Sequence, residues 1–298
     1  MERSFRMSRM ERFEGDEMEI VRALGWERYG WLRHGFSTRV GGTSTVYAEG
    51  GVGELNLGWT KEDDPGRVAE NRRRFSRAVA GEIEGKGGWP LVTLRQVHSD
   101  VVRVVGEEHG AGQWRLQTED GKAVWEGDGV VTNVPGVLLG IQTADCVPVI
   151  VADVEKRAVG VFHAGWRGTL AGIVGRGVEV MRKEYGSRSE DMVAAVGPSI
   201  GVCCYTVGEE VRAGFGAGFG YAEELFREVE GSVRLDLWEA NRRQLVDAGL
   251  KAERIAVVGE CSGCAVDAAG ARKYFSHRVE RGVAGRMLSV VGVAAEHR

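Results

Sequence analysis

Nowhere in its 298 residues does the chain carry an apolar run of about 18 residues, which excludes a membrane-spanning helix of ordinary length. The opening residues, MERSFRMSRMERFEGDEMEI, lack the hydrophobic centre of a secretory signal. Positive charge is not in surplus: 39 Lys and Arg stand against 43 Asp and Glu, for a formal net charge of −4. General electrostatic attraction to nucleic acid or to an anionic membrane is thereby excluded. Histidine is scarce, with six in all and no His-x-His pair, which excludes a multinuclear copper cluster held by many imidazoles. Cysteine is scarce as well. Five cysteines without an export signal are expected to be reduced thiols of a cytoplasmic protein. There is no internal repeat and no low-complexity linker.

What is present is a globular composition, 43% hydrophobic and 28% charged, with 45 glycines that follow no period and fall at turns. Helices are few and well marked. Asp64-Pro65 offers an N-cap and a proline at the first helical position before RVAENRRRFSRAVAG. Residues 168–185 read as one long helix. Asp236 to Gly249 has an Asp cap, a Glu three residues later and a closing Gly. Strands are expected at 31–37, 91–97, 100–105, 129–134, 137–142, 147–152, 158–163, 192–197, 254–259 and 287–293, and surface loops at 81–88 and 107–122. Hairpin neighbours alternate with strand–helix–strand units, which predicts an α+β fold with mixed sheets. The charged residues 1–28 read as an N-terminal extension to a single domain at 29–298.

Three residues stand out: His98 in QVHSD, Cys146 in TADC and His163 in HAGWRG. The apolar runs VPVIVAD and AVGVFHA flank a polar turn and read as an antiparallel hairpin. A turn centred on Val154 and Glu155 places Cys146 directly across from His163, where two side chains can share one metal. With His98 arriving from elsewhere, two imidazoles and a thiolate suit zinc, and leave a fourth position for water or substrate. Copper also competes well for such a site. The same facing pair is compatible with a cysteine hydrolase in which His163 activates Cys146. The His-x-Glu and Pro-Cys-x-x-Cys pattern of zinc cytidine deaminases is absent.

The motifs FSTRVGGTS (36–44), LNLG (55–58), QVHSD (96–100), DGVVT (128–132), TADCVPVIVAD (143–153), HAGWRGT (163–169), VGPSIGVCCYTVGEEV (196–211) and YFSHR (274–278) follow in order. Together they resemble the bacterial YfiH-like family, over about Trp31 to Val293. That family is also described as peptidoglycan editing factor, purine nucleoside phosphorylase, or polyphenol oxidase of the laccase-domain type. The resemblance implies a single-domain layered α/β/β/α sandwich, with zinc on His98, Cys146 and His163. It implies phosphorolysis of adenosine, inosine and methylthioadenosine with some adenosine deamination. It alternatively implies an amidase that removes L-Ser from UDP-MurNAc-L-Ser. The expected partners are a nucleoside or nucleotide-sugar and phosphate, with no nucleic acid and no membrane, and the chain is expected to be a monomer.

Other residues carry chemistry of their own. Arg39, in a polar glycine-rich loop, is expected to anchor phosphate or carboxylate. Arg167, at a helix start, is expected either to act in catalysis, by binding an anion or stabilising transition-state charge, or to form a structural salt bridge. Asp145 is a candidate to orient a ligand histidine or to accept a proton. Ser37, Asn56, Gln96, Ser276 and Arg278 are substrate-binding candidates. Asp128 reads as a turn residue, and adjacent Cys203 and Cys204 as core or pocket wall. Cys261 and Cys264 form a lone Cys-x-x-Cys pair. The chain departs from the family's usual FFSYRR at Tyr274, His277 and Val279. His277 is either an additional pocket group or a replacement for an aromatic.

Overall fold

In chain order the strands and helices are β1 (Ser8–Arg12), β2 (Glu19–Ala23), β3 (Leu32–Ser37), β4 (Val40–Ser44), α1 (Pro65–Ala80), β5 (Leu91–Thr93), β6 (Val102–Val105), β7 (Gly129–Thr132), β8 (Leu138–Thr143), β9 (Val147–Asp153) and β10 (Ala158–Ala164). The chain continues through α2 (Trp166–Leu170), α3 (Ile173–Tyr185), β11 (Met192–Val196), α4 (Glu209–Gly218), β12 (Phe226–Val229), β13 (Ser232–Leu235), α5 (Leu237–Asp247), β14 (Ile255–Val257) and β15 (Met287–Val293). This computed structural model describes residues 8–12, 18–48, 53–82, 88–106 and 122–295. The expected loops at 81–88 and 107–122 lie largely outside the described residues.

Two six-stranded mixed sheets form, in the orders β1-β2-β3-β15-β8-β5 and β14-β11-β9-β10-β7-β6. The space between them is filled by residues such as Phe36, Val92, Ile141, Ile150, Val161 and Val291. Helix α1 covers the outer face of the first sheet through Phe75 and Val79, against Ile20, Leu138 and Leu288. Helices α3, α4 and α5 cover the second through Val178, Phe215 and Leu245. The layers are therefore α/β/β/α, as expected. Strands β9 and β10 are buried at all seven positions each, which is why they read as unbroken apolar runs rather than alternating ones.

The structure differs from the expected elements at four places. Residues 18–28 belong to the domain rather than to an extension: Met18, Ile20 and Val21 are wholly buried, and β2 pairs with β3. Charge in the flanking segment had masked this short strand. The long helix expected at 168–185 is two helices, because Gly172 adopts φ 80°, a left-handed conformation that interrupts the α-helix. Helix α4, whose sequence EEVRAGFGAG is too glycine-rich to look helical, forms because Val211 and Phe215 pack into the core. The hairpin register is also displaced by two residues. His163 pairs with Pro148 and Ala164 with Val147, so the turn centres on Glu155 and Lys156. A slip of two preserves the face, so Cys146 stays on the side of His163, diagonal to it. The caps at Asp64 and Asp236 form as read, accepting from the Arg67 and Glu239 amides.

Candidate metal centre

The chain crosses from one sheet to the other between β8 and β9, and the crossing is the segment Ala144-Asp145-Cys146. Asp145 makes the sharp turn with φ 91°, a region that Asp tolerates better than most residues. Its carboxylate is held by the Ser262 and Ser276 hydroxyls, each at 2.7 Å, and by the Arg278 backbone N–H at 2.7 Å. Cys146 therefore emerges from a pinned backbone at the end of the sandwich where β10 delivers His163.

His98 arrives on the loop between β5 and β6, itself left-handed at φ 62°. What holds it is Asp128. This wholly buried carboxylate accepts the backbone N–H groups of Val97 (3.2 Å), His98 (2.9 Å) and Ser99 (2.7 Å), and the Ser99 hydroxyl at 2.8 Å. It also lies 2.8 Å from His163 Nδ1. Since a carboxylate can only accept, Nδ1 of His163 carries a proton whether the ring is neutral or an imidazolium, and Nε2 is the nitrogen left to face Cys146. The ligand atoms of His98, Cys146 and His163 lie within 4.8 Å of one another. Cys146 Sγ is 4.0 Å from His98 Nε2, and the imidazoles meet edge to face at 4.8 Å.

Electrostatics favour the charged forms. Burial would raise the Cys146 thiol, but the His163 imidazolium, helped by His98, draws it down to about 6. Burial would lower His163, yet the Cys146 thiolate and Asp128 raise it to about 9. Burial would likewise raise Asp128, but hydrogen bonds from His163 and Ser99 hold it well below the usual carboxylate range. A preformed thiolate, an imidazole oriented by a buried carboxylate and a second imidazole at the cleft surface constitute a donor set that fits zinc.

The three open onto a cleft of about 680 Å³. Its wall includes Trp59 and Tyr205 as aromatic surfaces and Arg95, Lys122, Arg278 and Arg286 as cations. His277 also reaches it. Of the expected site residues, Gln96 lines the cleft, but its amide both donates to and accepts from the Gln142 backbone at 2.8 Å, tying the His98 loop to β8. Arg278 lines it too, with its guanidinium over the Tyr205 ring and one N–H donated to the Thr206 carbonyl.

Several others are placed elsewhere. Arg39 is buried against Phe275 and ion-paired to Glu54 and Glu280, so its guanidinium is already neutralised and is absent from the cleft wall. The expected anion anchor is a structural ion pair. Arg167 is exposed, stacked on Trp166 at 4.2 Å, and also outside the wall. Ser37 is buried and accepts the Leu288 N–H. Asn56 is buried, donating to Asp63 and accepting from the Arg286 backbone, which sets Arg286 at the cleft edge. Ser276 is buried on Asp145. Asp145 bonds to neither histidine; the carboxylate that orients a histidine is Asp128. Its role was legible only through pairing: Phe162 opposes Gly129 in the β10–β7 ladder, so His163 must oppose Asp128.

Residues 33–294 match the family described as multi-copper polyphenol oxidoreductase laccase. The chain belongs to that family. The purine nucleoside phosphorylase YlmD of Geobacillus stearothermophilus is 37% identical over 275 residues, covering 89% of this chain and 95% of the relative. The adenosine deaminase RL5, from an unknown prokaryotic organism, is 36% identical over 232 residues, covering 77% of this chain and 84% of the relative. The crystal structure of the Bacillus licheniformis protein YfiH superposes with a TM-score of 0.78 at 31% identity, covering 95% of this chain and 98% of that one. This chain and that protein thus share the sandwich described above. Among the described residues no helix is long and apolar enough to cross a membrane.

Proposed function

We propose that the protein is a zinc-dependent purine nucleoside phosphorylase, with a secondary capacity for adenosine deamination. The observation that carries this reading is the composition of the cleft: two imidazoles and a thiolate at its base, with the cations Lys122, Arg278 and Arg286 and two aromatic faces around them. Phosphorolysis joins a phosphate oxygen to the ribose anomeric carbon as the bond to the purine nitrogen breaks. The site must therefore hold an anion beside a flat base. Arg278, Arg286 and Lys122 supply the charge for phosphate, and Trp59 and Tyr205 the surfaces for the purine. His98, Cys146 and His163 would hold zinc, which supplies Lewis acidity and lowers the pKa of a bound water. Asp128 keeps His163 in the ligating tautomer and fixes the His98 loop. The relatives named for purine nucleoside phosphorolysis and adenosine deamination support both branches.

The test is product analysis of zinc-loaded protein with adenosine, with and without phosphate. Adenine that requires phosphate supports the phosphorylase, and inosine without phosphate supports attack by water. If neither forms, the nucleoside reading falls and UDP-MurNAc-L-Ser is the next substrate.

One observation favours a second reading. Asp128, His163 and Cys146 are also the orienting acid, base and nucleophile of a cysteine hydrolase, and the lowered thiol is what such an enzyme needs. His98 separates the two, since a metal ligand is essential to the first and dispensable to the second.

A further inference from the structure

We propose that Cys203, Cys204, Cys261 and Cys264 form a second metal site, a closed four-thiolate site for zinc that clips together two turns flanking the cleft. Read from sequence, the first pair is core or pocket wall and the second an isolated Cys-x-x-Cys. The fold brings all four sulfurs within 4.8 Å of one another, with Cys203 Sγ and Cys264 Sγ 3.5 Å apart. In a tetrahedral site with zinc–sulfur bonds of about 2.3 Å, sulfurs stand about 3.8 Å apart, so the cluster already has the required dimensions.

The surrounding backbone is built for thiolate. Buried Cys261 Sγ accepts the N–H of Gly201 at 3.2 Å and of Gly263 at 3.4 Å, one from each turn. Backbone donors aimed at a ligating sulfur stabilise its anionic form. The turns themselves are tight: Cys204 and Tyr205 donate to the Gly201 carbonyl, and Ala265 to the Cys261 carbonyl. Both turns are crowded against the sulfurs: a Cβ on Gly263 would lie 3.1 Å from Cys204 Cβ and 3.3 Å from its Sγ, and one on Gly201 would lie 2.8 Å from the Trp238 ring and 3.2 Å from Cys203 Sγ. Four cysteine ligands leave no open position, the mark of a structural rather than a catalytic site.

The placement gives the clip a purpose. Cys204 precedes Tyr205 in the cleft wall, and Cys261 precedes Ser262, whose hydroxyl holds Asp145 beside Cys146. The second site therefore tethers the segments that shape the first without contributing to its ligands.

Cobalt is the probe. Full-length protein, reduced and stripped of metal, is titrated with Co²⁺ without oxygen, and its absorption is followed. The Cys146→Ser variant is expected to bind one equivalent with intense sulfur-to-cobalt charge transfer and the visible bands of a tetrahedral tetrathiolate. Cys264→Ser, at an exposed position that tolerates the change, is expected to lose that spectrum while circular dichroism stays that of the native fold. Chelation should lower the melting temperature of Cys146→Ser but not of the Cys146→Ser, Cys264→Ser double variant. The proposal is overturned if Cys146→Ser takes up no cobalt, or if its spectrum survives Cys264→Ser. Recovery of a Cys203–Cys264 disulfide with no cobalt uptake overturns it as well. Failure of the His98, Cys146 and His163 site would instead leave the wild type with one equivalent and the tetrathiolate spectrum intact.

Discussion

Asp128 and His163 sit opposite each other across the β7–β10 ladder, joined twice: the His163 backbone N–H donates to the Asp128 carbonyl at 2.7 Å, and the Asp128 carboxylate receives Nδ1 at 2.8 Å. The same carboxylate gathers three consecutive backbone N–H groups around His98. One residue therefore sets two of the three ligands. Asp128→Asn puts an amide N–H where acceptors are needed. Zinc affinity should fall by about 10- to 100-fold, the usual cost of losing a partner to a ligating histidine. Competition with a chromogenic chelator measures it, and wild-type affinity would remove Asp128 from this role.

Gly165 lies in HAGWRG directly above the ligands. An added Cβ there would stand 2.8 Å from Cys146 Sγ and 3.3 Å from His98 Cδ2. Its φ of −66° is open to any residue, so the effect of Gly165→Ala is purely steric at the site. Zinc binding and turnover should fall together with little change in the urea midpoint. A variant that binds zinc normally would contradict the packing described.

His98→Ala and Cys146→Ala separate the two chemical readings. Under the zinc reading both lose one equivalent of metal relative to the wild type, measured by elemental analysis after gel filtration, and both lose turnover. Under the cysteine-hydrolase reading only Cys146→Ala is inactive. Full activity in either variant with the wild-type metal content retained would sink the ligand assignment.

The thiolate–imidazolium pair has a definite pH window in metal-free protein. Cys146 is depressed to about 6, so its contribution to stability is present at alkaline pH and is lost as pH falls through 6. His163 is raised to about 9, so its contribution is present at lower pH and is lost as pH rises through 9. The pair is intact between. Alkylation of Cys146 by iodoacetamide, mapped by mass spectrometry, should show a midpoint near 6 rather than the roughly 8.5 of a free cysteine. Zinc should protect it. A midpoint near that of a free thiol would mean that His163 does not activate the sulfur.

Arg39 should matter for stability and not for chemistry. Its guanidinium is sandwiched between Phe275 and the carboxylates of Glu54 and Glu280, all largely shielded from solvent. Arg39→Met strands two buried carboxylates and should cost about 3 kcal/mol in urea denaturation. Zinc affinity and the KM for phosphate should hold. A selective rise in that KM would restore Arg39 as an anion anchor.

Much was legible because the signals were local. Strands β9 and β10 were visible as apolar runs between turn residues, and α1 and α5 by their Asp caps, since burial and capping are written in neighbouring residues. Cys146 and His163 were placed on one side of a hairpin even with its register two residues out, because a period-two strand returns to the same face. Strand β2 and helix α4 were not legible, because each owes its form to distant partners, β3 for one and the core around Phe215 for the other.

The sequence by itself determined an α+β class with mixed sheets, the caps and the shared side of Cys146 and His163, because these follow from residue type and short-range spacing; the layering and the third ligand, His98, came from the family resemblance. Only the tertiary structure decided which charged groups serve the cleft. Arg39 went to an ion pair, while Lys122, Arg278 and Arg286 reached the wall. Only the tertiary structure made Asp128 the organiser of the site and gathered four cysteines from two remote turns. His163 lies 35 positions from Asp128, Cys264 61 from Cys203 and Glu280 241 from Arg39; such contacts depend on how sheets pair and loops close, and no local pattern encodes that.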